Sequence, residues 1–193
     1  MSAALVGIFV GGRARRMGGV PKGLLASPGG EPLVRRLSRI ALDALDAPRV
    51  VLVGAAGPYL DLGLENLEDD PAGIGPIGGL AALLAHAERS GSSCAIALAT
   101  DLPYLEAPLL GRLIGHAPDA AAVAPRQDGV WQPLCARYAP SEALAAARIC
   151  IHGGNRALHD VLDALGLRAS ELVLTREEIE QLRDWDTPDD ISP

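Results

Sequence analysis

Aromatic residues make up only 3% of this 193-residue chain: one phenylalanine, two tryptophans and three tyrosines. They cannot build a core, so it must come from Ala, Leu, Val and Ile within a hydrophobic fraction of 49%, enough for one domain spanning residues 1–193. Cysteine is equally scarce. Cys94, Cys135 and Cys150 stand far apart, with no C-x-x-C pair and no histidine at zinc-ligand spacing, which argues against a zinc site. They read as buried small apolar residues, and an odd count without a signal peptide points to the reducing cytoplasm. No apolar run approaches the ~20 residues that span a bilayer, so no membrane partner is expected. Positive charge is short too. The formal net charge is -7, which argues against nucleic acid as a partner.

Against that acidic background one segment is basic. After the apolar run Ala3 to Val10 come Gly11-Gly12-Arg13-Ala14-Arg15-Arg16-Met17-Gly18-Gly19-Val20-Pro21-Lys22. Glycines let backbone N–H groups face an anion with no Cβ in the way, and arginine and lysine supply charge for phosphates. A strand emptying into such a loop is how an α/β protein holds a nucleoside triphosphate. It is not a P-loop, because Lys22 is followed by Gly23 rather than a hydroxyl residue. Nor is it G-x-G-x-x-G, because Gly11 and Gly12 are adjacent.

Apolar patterning predicts strands at Leu5–Val10, Arg49–Gly54, Leu64–Leu67, Cys94–Ala99, Ala120–Ala124 and Leu172–Leu174, with Gly129–Tyr138 extended. It predicts helices at Pro32–Leu45, Leu80–Arg89, Glu106–Gly115, Ser141–Ala147, Arg156–Leu165 and Arg176–Leu182, and a Gly/Pro-rich loop over Asp69–Gly79. Strands that are solid apolar runs, alternating with helices, mark a mostly parallel sheet covered on both faces. Ligands of such sheets sit beyond the carboxyl ends of the strands, so the loops after Val10, Leu67 and Ala99 are expected to converge.

Asp101 closes the apolar run before Leu102-Pro103. A carboxylate at a strand end suits magnesium, which takes one or two carboxylates plus substrate phosphates, and it equally suits a turn aspartate. Asp69 and Asp70 precede Gly75-Pro76-Ile77-Gly78-Gly79, a run that close backbone approach to a ligand or helix would explain. Arg156 stands either near a ligand phosphate or at a helix start capped by Asn155. His152 and His159 read as surface residues.

The basic loop, with its Gly-Gly pair, Arg16, Met17, Gly18 and Lys22, resembles the signature loop of the molybdenum cofactor guanylyltransferases, the MobA family. Further likenesses follow in order. Asp69 with Gly75-Pro76-Ile77-Gly78-Gly79 is similar to a D…G-P-L-A-G element, and Thr100-Asp101-Leu102-Pro103 to C-D-x-P. Gly129 to Tyr138 is similar to G-x-x-x-P-L-x-A-x-Y, either a wall beside the acceptor or a core strand. Trp185 to Ile191 is similar to the N-x-N-T-P-x-D-L close. The chain departs from the pattern at Val10, at Pro21 where aspartate often stands, and at Asp184 and Asp186 where asparagine is usual.

The resemblance implies a three-layer Rossmann-like nucleotidyltransferase fold. It implies transfer of GMP from GTP to the phosphate of molybdopterin with release of pyrophosphate. Arg16, Lys22 and Asp101 are then the catalytic group. Phe9, Val10, Gly11, Gly12, Gly18, Lys22, Asp69, Gly75, Pro76, Gly78 and Asp101 bind the nucleotide, and Asp101 holds Mg2+. GTP, molybdopterin and the chaperones that mature molybdenum enzymes are the expected partners. Gly11, without a Cβ, leaves room for a purine. A cytidylyl- or sugar-phosphate nucleotidyltransferase, and a non-catalytic GTP-binding relative, are the alternatives.

Overall fold

The computed structural model describes residues 3–11, 20–55, 57–185 and 190. A seven-stranded sheet lies at its centre in the order β3-β2-β1-β4-β8-β5-β9. The first four strands in chain order are β1 (Leu5–Phe9), β2 (Arg49–Val53), β3 (Glu65–Leu67) and β4 (Ala95–Ala99). All pair in parallel, with Phe9 opposite Val53 on one side and Ala99 on the other. After β5 (Ala122–Ala124) a small hairpin of β6 (Arg126–Gln127) and β7 (Val130–Trp131) stands apart from the sheet. The chain then returns as β8 (Cys135–Tyr138), antiparallel to both β4 and β5, and β9 (Ala169–Glu171) closes the edge parallel to β5.

Helices cover both faces, as the solid apolar strands require. On one face α1 (Leu33–Ala44) and α3 (Ala107–Gly115) bring Leu37, Ile40, Leu109 and Leu113 onto Val6, Ile8, Leu52 and Leu98. On the other, α2 (Pro76–Arg89) and α4 (Pro140–His152) bring Leu80, Leu83, Ala143 and Leu144 onto Leu5, Phe9, Val51 and Val53. Two short helices, α5 (His159–Leu165) and α6 (Arg176–Gln181), complete the layers. With so few aromatics, close packing is achieved by bringing helices near the strands. Gly7, in the middle of β1, leaves room for the Leu83 methyl groups of α2. Among the described residues, no helix is long and apolar enough to cross a membrane.

Several predicted boundaries move, each for a physical reason. Helix α2 starts at Pro76, not Leu80. Proline fits the first turn, and Gly75 precedes it at φ 84°. Gly78 and Gly79, expected in a loop, are therefore helical. Helix α4 runs on to His152, past the predicted Ala147, because Cys150 is buried on the same face as Ala143 and Ala147. The extended stretch expected from Gly129 to Tyr138 breaks into β7 and β8 around Pro133, which has no N–H to give a ladder. Leu172–Leu174 is not the last strand; the more polar Ala169–Glu171 pairs instead at the sheet edge. Asn155 caps no helix, since α5 begins only at His159. All three cysteines are buried and unbridged, and burial pushes the Cys135 thiol up to about 12.

The contact at Gly7 is testable. A Cβ there would lie 2.7 and 2.8 Å from the Leu83 methyls and 2.9 Å from Val53 Cγ2, whereas one at Gly111, within α3, meets nothing. Gly7→Ala is expected to lower unfolding free energy by about 1–3 kcal/mol. Gly111→Ala is expected to raise it by up to about 1 kcal/mol. Urea denaturation followed by circular dichroism reads both.

Candidate active site

Parallel pairing delivers the ends of β1, β2 and β4 to one rim of the sheet. The Thr100 hydroxyl donates to the Phe9 carbonyl at 2.7 Å, and Val10 N–H donates to Val53 O at 3.0 Å. These bonds lock the three strand ends together. The Phe9 and Val10 side chains are buried in the core, so what either offers a ligand is backbone. Gly11 is exposed just beyond, and an added Cβ would meet only Gly54 Cα, at 3.9 Å. Gly54 has the opposite constraint: at φ 103°, its Cβ would sit 3.0 Å from Gly11 N. Glycine is required there so that the chain leaving β2 passes close beneath Gly11.

The chain rejoins the rim at Lys22. Its ammonium donates to Asp101 Oδ2 at 2.8 Å across 79 positions of sequence, and both side chains are about three-quarters buried. Lys22 opens a short 3-10 turn, Lys22–Leu24. Gly23 is buried against Tyr59, donating its N–H to the Tyr59 hydroxyl at 3.2 Å, and a Cβ on Gly23 would lie 2.9 Å from the Tyr59 ring. Tyr59 comes from a turn after β2, and burial raises its pKa. The backbone of Asp101 is held as well, its carbonyl accepting from Trp185 N–H at 3.1 Å. Tyr59 is a support residue that no sequence motif marks, its hydroxyl meeting Gly23 N–H across 36 positions of sequence. Thr100 and Trp185, which stand in quoted motifs, turn out to act as supports.

Asp69 stands on the β2 side of the rim. Its Oδ1 is 3.0 Å from where a Gly79 Cβ would be and 3.8 Å from that of Gly54. Gly78 lets Pro71 O approach to 2.4 Å of its own missing Cβ. The Gly-Pro-Ile-Gly-Gly run thus seats α2 against the Asp69 loop, while Gly75 and Pro76 are exposed at the helix start. No donor among the described residues bonds the Asp69 carboxylate, and burial holds its pKa above the ordinary 3.8.

Gly12, Arg16, Gly18 and Asp186 fall outside the described residues. Arg156, His152 and His159 are exposed. Of the described nucleotide-binding and catalytic expectations, Lys22 and Asp101 meet directly. Gly11, Gly54, Asp69 and Gly79 form a second, adjoining group. A groove of about 580 Å³ opens next to Pro103 and Tyr104, walled by Pro28, Gly29, Arg36 and α6. Arg36 braces it by donating to the carbonyls of Pro103 and Leu105 at 2.8 and 2.9 Å. Sequence reasoning did not anticipate it, because α6 is brought there by tertiary packing alone.

A parallel sheet with one antiparallel insertion, and glycine, lysine and carboxylate gathered at its carboxyl rim, is the arrangement of the Rossmann-like nucleotidyltransferases. Solved structures share it. The chain superimposes on molybdopterin-guanine dinucleotide biosynthesis protein A from Archaeoglobus fulgidus with a TM-score of 0.75 at 24% identity, covering 96% of this chain and 94% of that one. It also superimposes on 2-C-methyl-D-erythritol 4-phosphate cytidylyltransferase from Thermus thermophilus with a TM-score of 0.69 at 16% identity, covering 98% and 95%. The model of the MobA-like NTP transferase domain matches residues 6–169, and the chain belongs to that family. Among named relatives, a probable molybdenum cofactor guanylyltransferase of Opitutus terrae is 30% identical over 98% of this chain and 94% of its own. A molybdenum cofactor guanylyltransferase of Pseudomonas fluorescens is 33% identical over 82% and 78%.

Asp69 yields a prediction with a definite sign. Its folded pKa lies above the unfolded one, so the charged form opposes folding. That penalty is absent below the unfolded value of 3.8 and grows as pH rises through the folded value. Asp69→Asn is expected to raise Tm by about 1–2 °C at pH 7, after allowance for solvent screening, and by nothing near pH 3. Thermal melts across that pH range check it.

Proposed function

We propose that the protein transfers the guanylyl group of GTP to the terminal phosphate of molybdopterin. An acceptor phosphate oxygen attacks the α-phosphorus, the α–β bridging bond breaks, and pyrophosphate leaves on the opposite side. The observation that carries this reading is the 2.8 Å meeting of Lys22 and Asp101 at the strand rim, beside the open Gly11 backbone. The names of the relatives support the choice of GTP and of the molybdenum cofactor acceptor.

No covalent intermediate is needed, and catalysis reduces to positioning and charge stabilisation. We assign the backbone N–H groups from Gly12 to Gly18, with Arg16 and Lys22, to the triphosphate. Lys22 places its ammonium where negative charge grows on the phosphates during attack. Asp101 fits a hard divalent cation: its Oδ1 takes no hydrogen bond among the described residues, and Trp185 and Thr100 fix its place. When bound there, Mg2+ supplies further charge stabilisation and aligns the phosphates. Asp69, half-buried and unpaired among the described residues, is a ready acceptor for a donor group of the nucleoside. Gly11 leaves space above Gly54 for a purine.

Pyrophosphate release, measured with each of the four nucleotides and with molybdopterin present or absent, tests the reading. Release is expected with GTP and acceptor together. Asp101→Ala should lower it at least about 100-fold in a protein that still melts cooperatively. Gly11→Ala should fold normally, since among the described residues its Cβ meets only Gly54 Cα at an ordinary contact distance of 3.9 Å, yet weaken GTP binding more than CTP binding. Undiminished transfer by a folded Asp101→Ala protein would refute the role of Asp101. A preference for CTP would move the reading to a cytidylyltransferase.

A further inference from the structure

Lys22 is the only lysine in the chain, and every other member of the 17 Lys plus Arg residues is arginine. That one lysine bonds the carboxylate to which the proposed function gives the metal. An arginine at this place would grip both carboxylate oxygens in a planar fork. A lysine meets it as a point charge on a rotatable stem, able to turn from one anion to another.

The surroundings make release necessary. Among the described residues no group of three or more His, Cys, Asp or Glu side chains could hold a metal ion. A magnesium-like cation at Asp101 therefore draws on ligands outside that set, and the phosphate oxygens of a nucleotide and water suit it. Before any nucleotide arrives, the ammonium 2.8 Å from Oδ2 already neutralises the carboxylate. A divalent cation would meet a repelling charge there. Once a triphosphate is present, that obstacle eases: the phosphates ligate the metal, and they offer Lys22 a further anionic partner. The movement is confined to the Lys22 side chain, because the next residue, Gly23, is clamped to Tyr59.

We propose that Lys22 and the divalent cation exchange places on Asp101. Lys22 occupies the carboxylate in the empty protein and swings to the triphosphate when the metal–nucleotide complex binds, so metal and nucleotide enter as one unit. This rests on the nucleotide reading above. Because binding couplings are reciprocal, nucleotide must tighten metal binding by the same factor by which metal tightens nucleotide binding.

Mn2+ titration followed by electron paramagnetic resonance tests the exchange without turnover. In the absence of nucleotide, wild type is expected to bind Mn2+ weakly. Lys22→Met should bind it about threefold to tenfold more tightly, and Lys22→Met with Asp101→Asn should lose that gain. Lys22→Arg should bind more weakly still. A folded Lys22→Met protein with unchanged or weaker Mn2+ affinity would overturn the proposal. A second measurement needs no variant. Lysine-labelled protein gives a single side-chain ammonium signal, which should stay in place with Mg2+ alone and shift with Mg2+ and a non-hydrolysable GTP analogue together. A shift with Mg2+ alone, or none with both despite calorimetric binding of the analogue, would also overturn it. Failure of any nucleotide to bind would instead sink the proposed function, and the nucleotide-free Mn2+ comparison would still decide the exchange.

Discussion

β1 lies between two parallel partners in the same register, and everything chemical about the molecule follows from that alignment. Phe9 faces Val53 and Ala99 together. The chain therefore leaves β1, β2 and β4 along one line, and the residues just beyond become neighbours. Thr100 and Val10 tie those ends with short hydrogen bonds, and Gly54 lets two of the emerging chains nearly touch.

The charges divide the labour in a consistent way. Several arginines are clamps. Arg36 binds the carbonyls of Pro103 and Leu105, and buried Arg137 gathers those of His116, Ala117 and Pro118 beyond the end of α3. Arg112 pairs with Glu178, and Arg168 forks onto Glu142. Such multidentate contacts fix backbone or join helices. The lone lysine instead faces the Asp101 carboxylate at the strand rim, as a point charge on a flexible stem.

The parallel α/β architecture was legible in the sequence, because buried parallel strands leave solid apolar runs such as Leu5–Phe9 and Ala95–Ala99. The convergence of three loops followed from the architecture, and Lys22 and Asp101 do meet. What the sequence hid was decided by tertiary contact. The first turn of α2 reads as a glycine loop, yet its glycines are there to admit Pro71 O, Asp69 and Val53. β9 is a polar edge strand whose ladder comes from its neighbour rather than from its own apolarity. Tyr59 and Trp185 act through a hydroxyl and a backbone N–H on residues far away in sequence. No local pattern encodes such partners.

The central claim is that one rim, built from the ends of β1, β2 and β4, holds a triphosphate and a divalent cation together. A crystal structure with a non-hydrolysable GTP analogue and Mn2+, with anomalous data to locate the metal, tests it most directly. The account predicts an anomalous peak on Asp101 and on the phosphates, with Lys22 moved onto a phosphate oxygen. Nucleotide bound elsewhere, with Lys22 still on Asp101 and no peak between them, would contradict it.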